Sequence, residues 1–280
     1  MERWGSRTVK RGEREAGERF HDVLADTPPA RRWMDILLVP GFALAGTLIV
    51  SAAAGLFVAA GALLRGLSGN EILFLIETWR GSNAFLYGVQ IAFYAASVAA
   101  AAFLLRWRGY RMRRVYFRPL HPLFLGAAIA TGAILSALVM VLLLALPPET
   151  QQQLMEQNDL LMPKGMGEAV TLFAIAVVLA PVAEEIYFRG IVLGVLGRSM
   201  PFAVAAGLSA AFFSLSHGHL FNAAGAGGWV LTGVIFVLGM VLAIAARRAG
   251  SLRASIAVHA SYNLCLFVPS LVSLLPGAYT

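Results

Sequence analysis

The chain has 280 residues, of which 59% are hydrophobic and only 13% are charged, with a formal net charge of +7. A water-soluble domain needs charged residues at roughly a quarter of its positions, so this composition excludes a soluble protein and predicts an integral membrane protein. The single cysteine, Cys265, excludes an internal disulfide framework and a cysteine-cluster metal site.

The first 35 residues mix both charge signs and contain no apolar run, which is not the pattern of a secretory signal. Mixed charge is also not typical of a nucleic-acid-binding tail. The sequence therefore predicts a charged cytoplasmic arm over residues 1–35, one transmembrane domain over 36–280, and no nucleic-acid partner.

Crossing the roughly 30 Å hydrocarbon core of a bilayer takes about 20 apolar residues in a helix. Seven runs approach this length, and a short apolar piece after Arg189, "IVLGVLG", predicts a further half-helix. We therefore predict an all-α, polytopic bundle of seven to eight helices. The seven runs are Ile36–Leu64, Phe85–Leu105, Pro122–Leu146, Ala169–Phe188, Pro201–His217, Trp229–Ala246 and Ala254–Leu275.

Lysine and arginine are concentrated in alternate connections between these runs. Eight lie in the N-terminal arm and six in the connection 106–118, against two between the first and second runs and only Lys164 between the third and fourth. By the positive-inside rule, this bias predicts a cytoplasmic N-terminus. We expect a multi-pass protein of a prokaryotic plasma membrane, with Glu184 and Glu185 toward the cytoplasmic end of the fourth run.

Ionisable side chains within membrane spans are costly, so each is a candidate functional residue. Glu185 and Arg189 are four residues apart, the favourable order for an ion pair on one helical face. Glu184 is turned about 100° away and is expected to remain available for chemistry. The alternative is a cluster of charges reaching for the lipid headgroups.

Two later runs also carry polar residues at helical spacing. Phe213 and His217 are four residues apart, as are His259 and Asn263. Helix–helix hydrogen bonding could account for the second pair. Taken together, the three runs offer a carboxylate that could act as a general base and donors for an oxyanion, an inventory that favours water-mediated peptide or ester hydrolysis within the membrane.

These residues resemble the motifs of the CPBP intramembrane proteases, the CAAX protease and bacteriocin-processing (Abi) family that includes Rce1-type prenyl endopeptidases. The family pattern EExxxR, FxxxH and HxxxN reads here as Glu184 to Arg189, Phe213 to His217 and His259 to Asn263. The resemblance covers about residues 168–270, which we take as the catalytic core.

The resemblance implies a role for each matched residue. Glu184 would activate water with help from His217, while His259 and Asn263 would orient the scissile carbonyl and stabilise its oxyanion. Glu185 and Arg189 would shape the site, and Phe213 would pack beside it. If the enzyme were metal-dependent, zinc would be held by Glu184, His217 and His259. No HExxH motif is present, so we favour a mechanism without a metal or other cofactor.

The expected substrate is a membrane-associated peptide or a prenylated protein, within or beside the lipid bilayer. Removal of three residues from a prenylated CAAX box, processing of a bacteriocin-like peptide and turnover of another membrane protein all fit. Two other classes of function remain open: a transporter that uses the same residues as an ion relay, and a non-catalytic immunity or scaffold protein that binds a partner through its basic arm.

Overall fold

The computed structural model describes residues 29–159, 162–222, 226–272 and 274, and within these ranges every regular element is helical. Most of the predicted arm lies outside the described residues, which begin with α1 at Pro29. The helices, in chain order, are α1 Pro29–Leu64, α2 Gly69–Arg80, α3 Asn83–Trp107, α4 Met112–Tyr116, α5 Pro122–Leu144, α6 Pro148–Asp159, α7 Met166–Leu196, α8 Phe202–Ser216, α9 His219–Asn222, α10 Ala226–Ala249 and α11 Leu252–Val272.

Five described helices are long and apolar enough to cross a membrane: α1, α3, α5, α7 and α10. The other two predicted runs are also helical. Helix α8 is apolar but has only 15 residues; α11 has 21, about the length that a crossing needs, but is more polar. The fold is an all-α membrane helix bundle, whereas the total of seven to eight crossings stays a prediction.

Large apolar side chains cover the outside of the bundle. Leu48 and Leu56 on α1 are 70% and 72% exposed, and Leu138 on α5 is 61% exposed. Such contiguous apolar surface is unfavourable in water but matches the hydrocarbon of a bilayer.

Helix α7 is longer than its predicted run, because "IVLGVLG" continues it to Leu196 instead of forming a separate half-helix. Arg189, which lies between the predicted fourth run and the predicted half-helix, is therefore an interior residue of the helix. The helix includes two π-helical segments, Ala174–Leu179 and Glu185–Val192. It contacts α1, α3, α8, α10 and α11, so the glutamates are carried by a helix that packs against five others.

The closest helix pair is α5 against α11. A Cβ atom added to Gly132 would lie 2.0 Å from the Ser261 Oγ atom and 2.2 Å from the Val258 carbonyl oxygen. The Ser261 hydroxyl in turn donates to the Ile129 carbonyl at 2.9 Å. A small residue at position 132 is what permits this backbone approach, as is usual where membrane helices pack closely.

Three connections meet at one end of the bundle. Arg108 after α3 donates to Asp35 on α1 through both guanidinium nitrogens, one bond measuring 2.7 Å, and the Ser251 hydroxyl before α11 donates to the Arg118 carbonyl at 2.9 Å. Exposed arginines are gathered on these connections and on the helix ends and short helix beside them: Arg106, Arg111, Arg113, Arg114, Arg247, Arg248 and Arg253.

Helix α2 lies in the connection after α1 and was not predicted. Ser68 caps its N-terminus, and the Ser68 backbone N–H donates to the Glu71 carboxylate at 2.7 Å. The Ser68 hydroxyl donates to the same carboxylate, and these bonds lower the pKa of Glu71. This reciprocal arrangement is a capping box.

Candidate active site

The first motif places a buried ion pair at the middle of α7. The Arg189 Nη1 atom donates to Glu185 Oε1 at 2.8 Å, and both side chains are 0% exposed. The separation of four residues predicted this contact. A charge so deeply buried requires a partner of opposite charge. Glu185 and Arg189 serve as partners for each other.

Arg189 also joins α7 to the two helices behind it. Its Nη2 atom donates to the Gly239 carbonyl on α10 at 3.1 Å. Its guanidinium lies 4.3 Å from the centre of the Phe213 ring on α8, the geometry of a cation–π contact. Arg189 therefore fixes the position of Glu185 relative to three helices.

His259 on α11 lies between the two glutamates. Its Nδ1 atom is 3.2 Å from Glu185 Oε1, and its Nε2 atom is 3.8 Å from Glu184 Oε2. A carboxylate only accepts hydrogen bonds, so His259 carries a proton on Nδ1. The imidazole thus connects the buried ion pair to the second, less enclosed carboxylate.

His217 follows the last residue of α8 and faces the same region. Its Nδ1 atom is 2.8 Å from the Phe213 carbonyl oxygen, which can only accept. This bond holds the proton on Nδ1, and in the neutral ring it leaves the Nε2 lone pair free. The Phe213 ring contacts both histidine rings edge to face, with centroids 4.7 Å from His217 and 5.8 Å from His259.

Asn263 does not pair with His259. Its Nδ2 atom donates instead to the Ala176 carbonyl on α7 at 2.7 Å. Ala176 lies in the first π-helical segment, where the wider turn disturbs the usual backbone hydrogen bonds. The bond therefore anchors α11 to α7 one turn below His259, and the second amide hydrogen of Asn263 has no acceptor among the described residues.

A cavity of about 490 Å³ opens beside Glu184, between α1, α3, α7 and α8. Glu184 and His217 both line it, but His259 and Asn263 do not. Of the four residues predicted for catalysis, two therefore line the cavity and two do not. Its polar lining residues are Gln90, Tyr94, Ser97, Glu184, Tyr187, Ser216 and His217.

Helix α3 also contributes to the site, although none of the three motifs lies on it. The Tyr94 hydroxyl donates to Glu184 Oε1 at 2.9 Å, across 90 residues of sequence, and Gln90 lies one turn away on the same helix. A tyrosine and a glutamine within an apolar run belong to no motif, so only their spacing of four residues, which places them on one face, could have singled them out.

The positions of these side chains also test whether Glu184, His217 and His259 could bind zinc. Zinc in a catalytic site takes three protein ligands that converge on one point. Within the described ranges, no group of three histidine, cysteine, aspartate or glutamate side chains is arranged to hold a metal ion. Glu184, His217 and His259 as they lie therefore do not fit a zinc site, and the mechanism below uses none.

One family model matches the chain. Residues 166–265 match the model described as type II CAAX prenyl endopeptidase, Rce1-like. No curated protein and no solved structure matches the chain. The matched segment extends from the start of α7 into α11 and contains all three motifs. The resemblance drawn from those motifs is thus confirmed, and the segment that carries Glu184, His217, His259 and Asn263 is Rce1-like.

Proposed function

We propose that the protein is an intramembrane endopeptidase that hydrolyses a peptide bond of a membrane-associated substrate, in the manner of a CAAX prenyl endopeptidase. The observation that carries this proposal is the placement of Glu184 and His217 on the wall of one cavity inside a membrane bundle, within the Rce1-like segment. A carboxylate and an imidazole that share a cavity can activate water, as peptide hydrolysis requires.

In this mechanism, a water molecule in the cavity lies between Glu184 and the free Nε2 atom of His217. Glu184 takes a proton from the water molecule while the oxygen of that water attacks the scissile carbonyl carbon. The carbonyl π electrons move onto oxygen and give a tetrahedral oxyanion. When the C–N bond breaks, Glu184 returns its proton to the leaving amine, so that one water is consumed and two peptides are released.

His259 and Asn263 are proposed to serve the developing oxyanion. His259 directs Nε2 toward Glu184 and can donate from that atom when the ring is protonated at both nitrogens, and Asn263 retains a second amide hydrogen. Such preorganised donors are worth several kcal/mol when they meet the charge that forms in the transition state. The buried pair of Glu185 and Arg189 holds the His259 ring in place, because the His259 Nδ1–H donates to Glu185.

The test is cleavage of a quenched fluorescent, prenylated CAAX peptide by the purified protein in detergent. We expect cleavage by the wild type, loss of cleavage in Glu184→Ala with the thermal melt retained, and no effect of a strong chelator. Full activity in Glu184→Ala would overturn the assignment of the base. Loss with chelator and recovery on adding zinc would overturn the metal-free mechanism. Cleavage only of peptides without a prenyl group would replace the substrate class.

The orientation of the protein is part of the same proposal. The exposed arginines that follow α3 and surround the α10–α11 connection lie at one end of the bundle with the start of α1, which supports a cytoplasmic N-terminus by the positive-inside rule. A fluorescent-protein fusion at the N-terminus should therefore be fluorescent, and a phosphatase fusion there inactive. The reverse result would place this end of the bundle outside the cell.

A further inference from the structure

Helix α3 presents a polar stripe to the candidate active site, although it lies outside the Rce1-like segment. Gln90, Tyr94 and Ser97 are spaced by four and three residues, which places them on one helical face, and all three line the cavity beside Glu184. The Ser97 hydroxyl is satisfied within the helix by the Phe93 carbonyl at 2.8 Å. Gln90 and Tyr94 are therefore the two groups of the stripe that can act on something across the cavity.

Tyr94 controls the orientation of Glu184. Among the described residues, the 2.9 Å bond from the Tyr94 hydroxyl is the only hydrogen bond that the Glu184 carboxylate receives. The terminal torsion of a glutamate has broad minima and is free to rotate when nothing holds it. With Oε1 held by Tyr94 and Oε2 directed toward His259, the carboxylate keeps a single orientation against the cavity.

Gln90 has the opposite character, because its carboxamide has no hydrogen-bond partner among the described residues. It stands one helical turn from Tyr94 on the same cavity wall. A carboxamide offers one acceptor and two donors, a set that matches the N–H and C=O of a peptide group. A polar group on an otherwise apolar wall fixes the orientation of what binds there.

We infer that α3 forms the substrate-side wall of the active site, with Tyr94 positioning the Glu184 carboxylate and Gln90 binding a backbone peptide group of the substrate. The inference rests on the proposed peptidase function. It assigns the two residues to different stages of the reaction: Tyr94 acts on the base during the chemical step, and Gln90 acts on substrate binding.

The test is the steady-state kinetics of three variants on the prenylated CAAX peptide. Tyr94→Phe should lower kcat about tenfold to a hundredfold, the range for a hydrogen bond to a charged group, with KM within about twofold. Gln90→Leu should raise KM about fivefold, as for a neutral hydrogen bond, with kcat nearly unchanged. Tyr87→Phe is the matched control: Tyr87 is buried on the same helix but does not line the cavity, and it should keep the wild-type kcat and KM.

Restoring a hydrogen-bond donor at position 94 distinguishes a loss of Glu184 positioning from a general effect on folding. Replacing Tyr94 by 4-aminophenylalanine restores an N–H donor at the same place, and we expect it to recover most of the kcat lost in Tyr94→Phe. A wild-type kcat in Tyr94→Phe would overturn its role, as would an equal loss in Tyr87→Phe or no recovery with the amine. A wild-type KM in Gln90→Leu would overturn the binding role.

The wild type and Glu184→Ala distinguish failure of this inference from failure of the proposed function. If the wild type does not cleave the peptide, or if Glu184→Ala cleaves it fully, the proposed function fails and the role of α3 fails with it. If Glu184→Ala is inactive while Tyr94→Phe and Gln90→Leu behave as the wild type, only the role of α3 is overturned.

Discussion

The ion pair between Glu185 and Arg189 gives a quantitative test of the site's architecture. Replacing Arg189 by methionine fills much of the same space but leaves the Glu185 carboxylate at 0% exposure, with His259 and Ser255 near it but no permanent cation among the described residues to neutralise it. Removing one partner of a buried ion pair costs about 3–5 kcal/mol, because the remaining charge is uncompensated. At 2–4 °C per kcal/mol for a chain of this size, the expected fall in Tm is roughly 10 °C.

The double variant Glu185→Gln/Arg189→Met should be more stable than Arg189→Met alone. It removes both charges, so what is lost is chiefly the bond from Arg189 to the Gly239 carbonyl, about 2 kcal/mol for a hydrogen bond from a charged donor. The double variant should therefore recover roughly a third or more of the stability lost in the single one.

The assay is thermal unfolding in detergent micelles, followed by circular dichroism for the wild type, both single variants and the double variant. Arg247→Met is the matched control, because Arg247 also lies over an aromatic ring, 4.1 Å from the Phe202 centroid, but at an exposed position. It should lose less than about 1 kcal/mol. A double variant less stable than Arg189→Met would refute the reasoning, since it would mean that the Glu185 charge is stabilised without Arg189.

Three further predictions follow from the packing and from the site. Gly132→Ala should destabilise the protein by about 1–3 kcal/mol by forcing α5 away from α11, whereas Gly126→Ala, with open space around its Cβ, should be neutral or stabilising in a thermal melt. His217→Ala should lower kcat by about 10² or more, the usual contribution of an acid–base group. His219→Ala should leave kcat unchanged, because His219 lies outside the cavity lining. Equal losses of kcat in the two variants would contradict a specific role for His217. Incubation with a chelator should leave the rate of peptide cleavage unchanged, with the metal content of the protein measured in the same samples. A cleavage rate that decreases in step with the metal content would contradict the metal-free mechanism.

Contacts within one helix could be predicted from the sequence. The bond from Arg189 to Glu185 follows from a spacing of four residues, and so does the contact of Phe213 with His217. The long apolar runs likewise predicted the all-α class and most helix positions to within a few residues. Local periodicity is sufficient for these features because a helix fixes which neighbours share a face.

Contacts between helices could not be predicted in the same way. The Asn263 amide donates to the Ala176 carbonyl, 87 residues earlier in the chain, and no spacing in the sequence indicated this contact. Tyr94 was not singled out at all, because its partner Glu184 is 90 residues away. Nothing in the local pattern distinguishes a tyrosine that faces lipid from one that reaches a carboxylate.

The length of α7 could not be predicted either. The charge of Arg189 appeared to end the fourth run, since an arginine within a span is rare. The structure continues α7 to Leu196 because Glu185 neutralises that charge within the helix. By contrast, α2 did have a readable signal: Ser68 followed three residues later by Glu71 is the pattern of a capping box.

The polar character of α11 has a consequence for how the protein is made. Among the described residues, this helix is not one of the five that are apolar enough to cross a membrane unaided, since it carries His259, Asn263 and several serines. Helix α11 follows α5 and α7 in the chain, so both of these helices have been synthesised when it leaves the ribosome. Its entry into the bilayer would then depend on the groove at Gly132 and on the Ala176 carbonyl, so that assembly of the catalytic residues and insertion of α11 are one biosynthetic event.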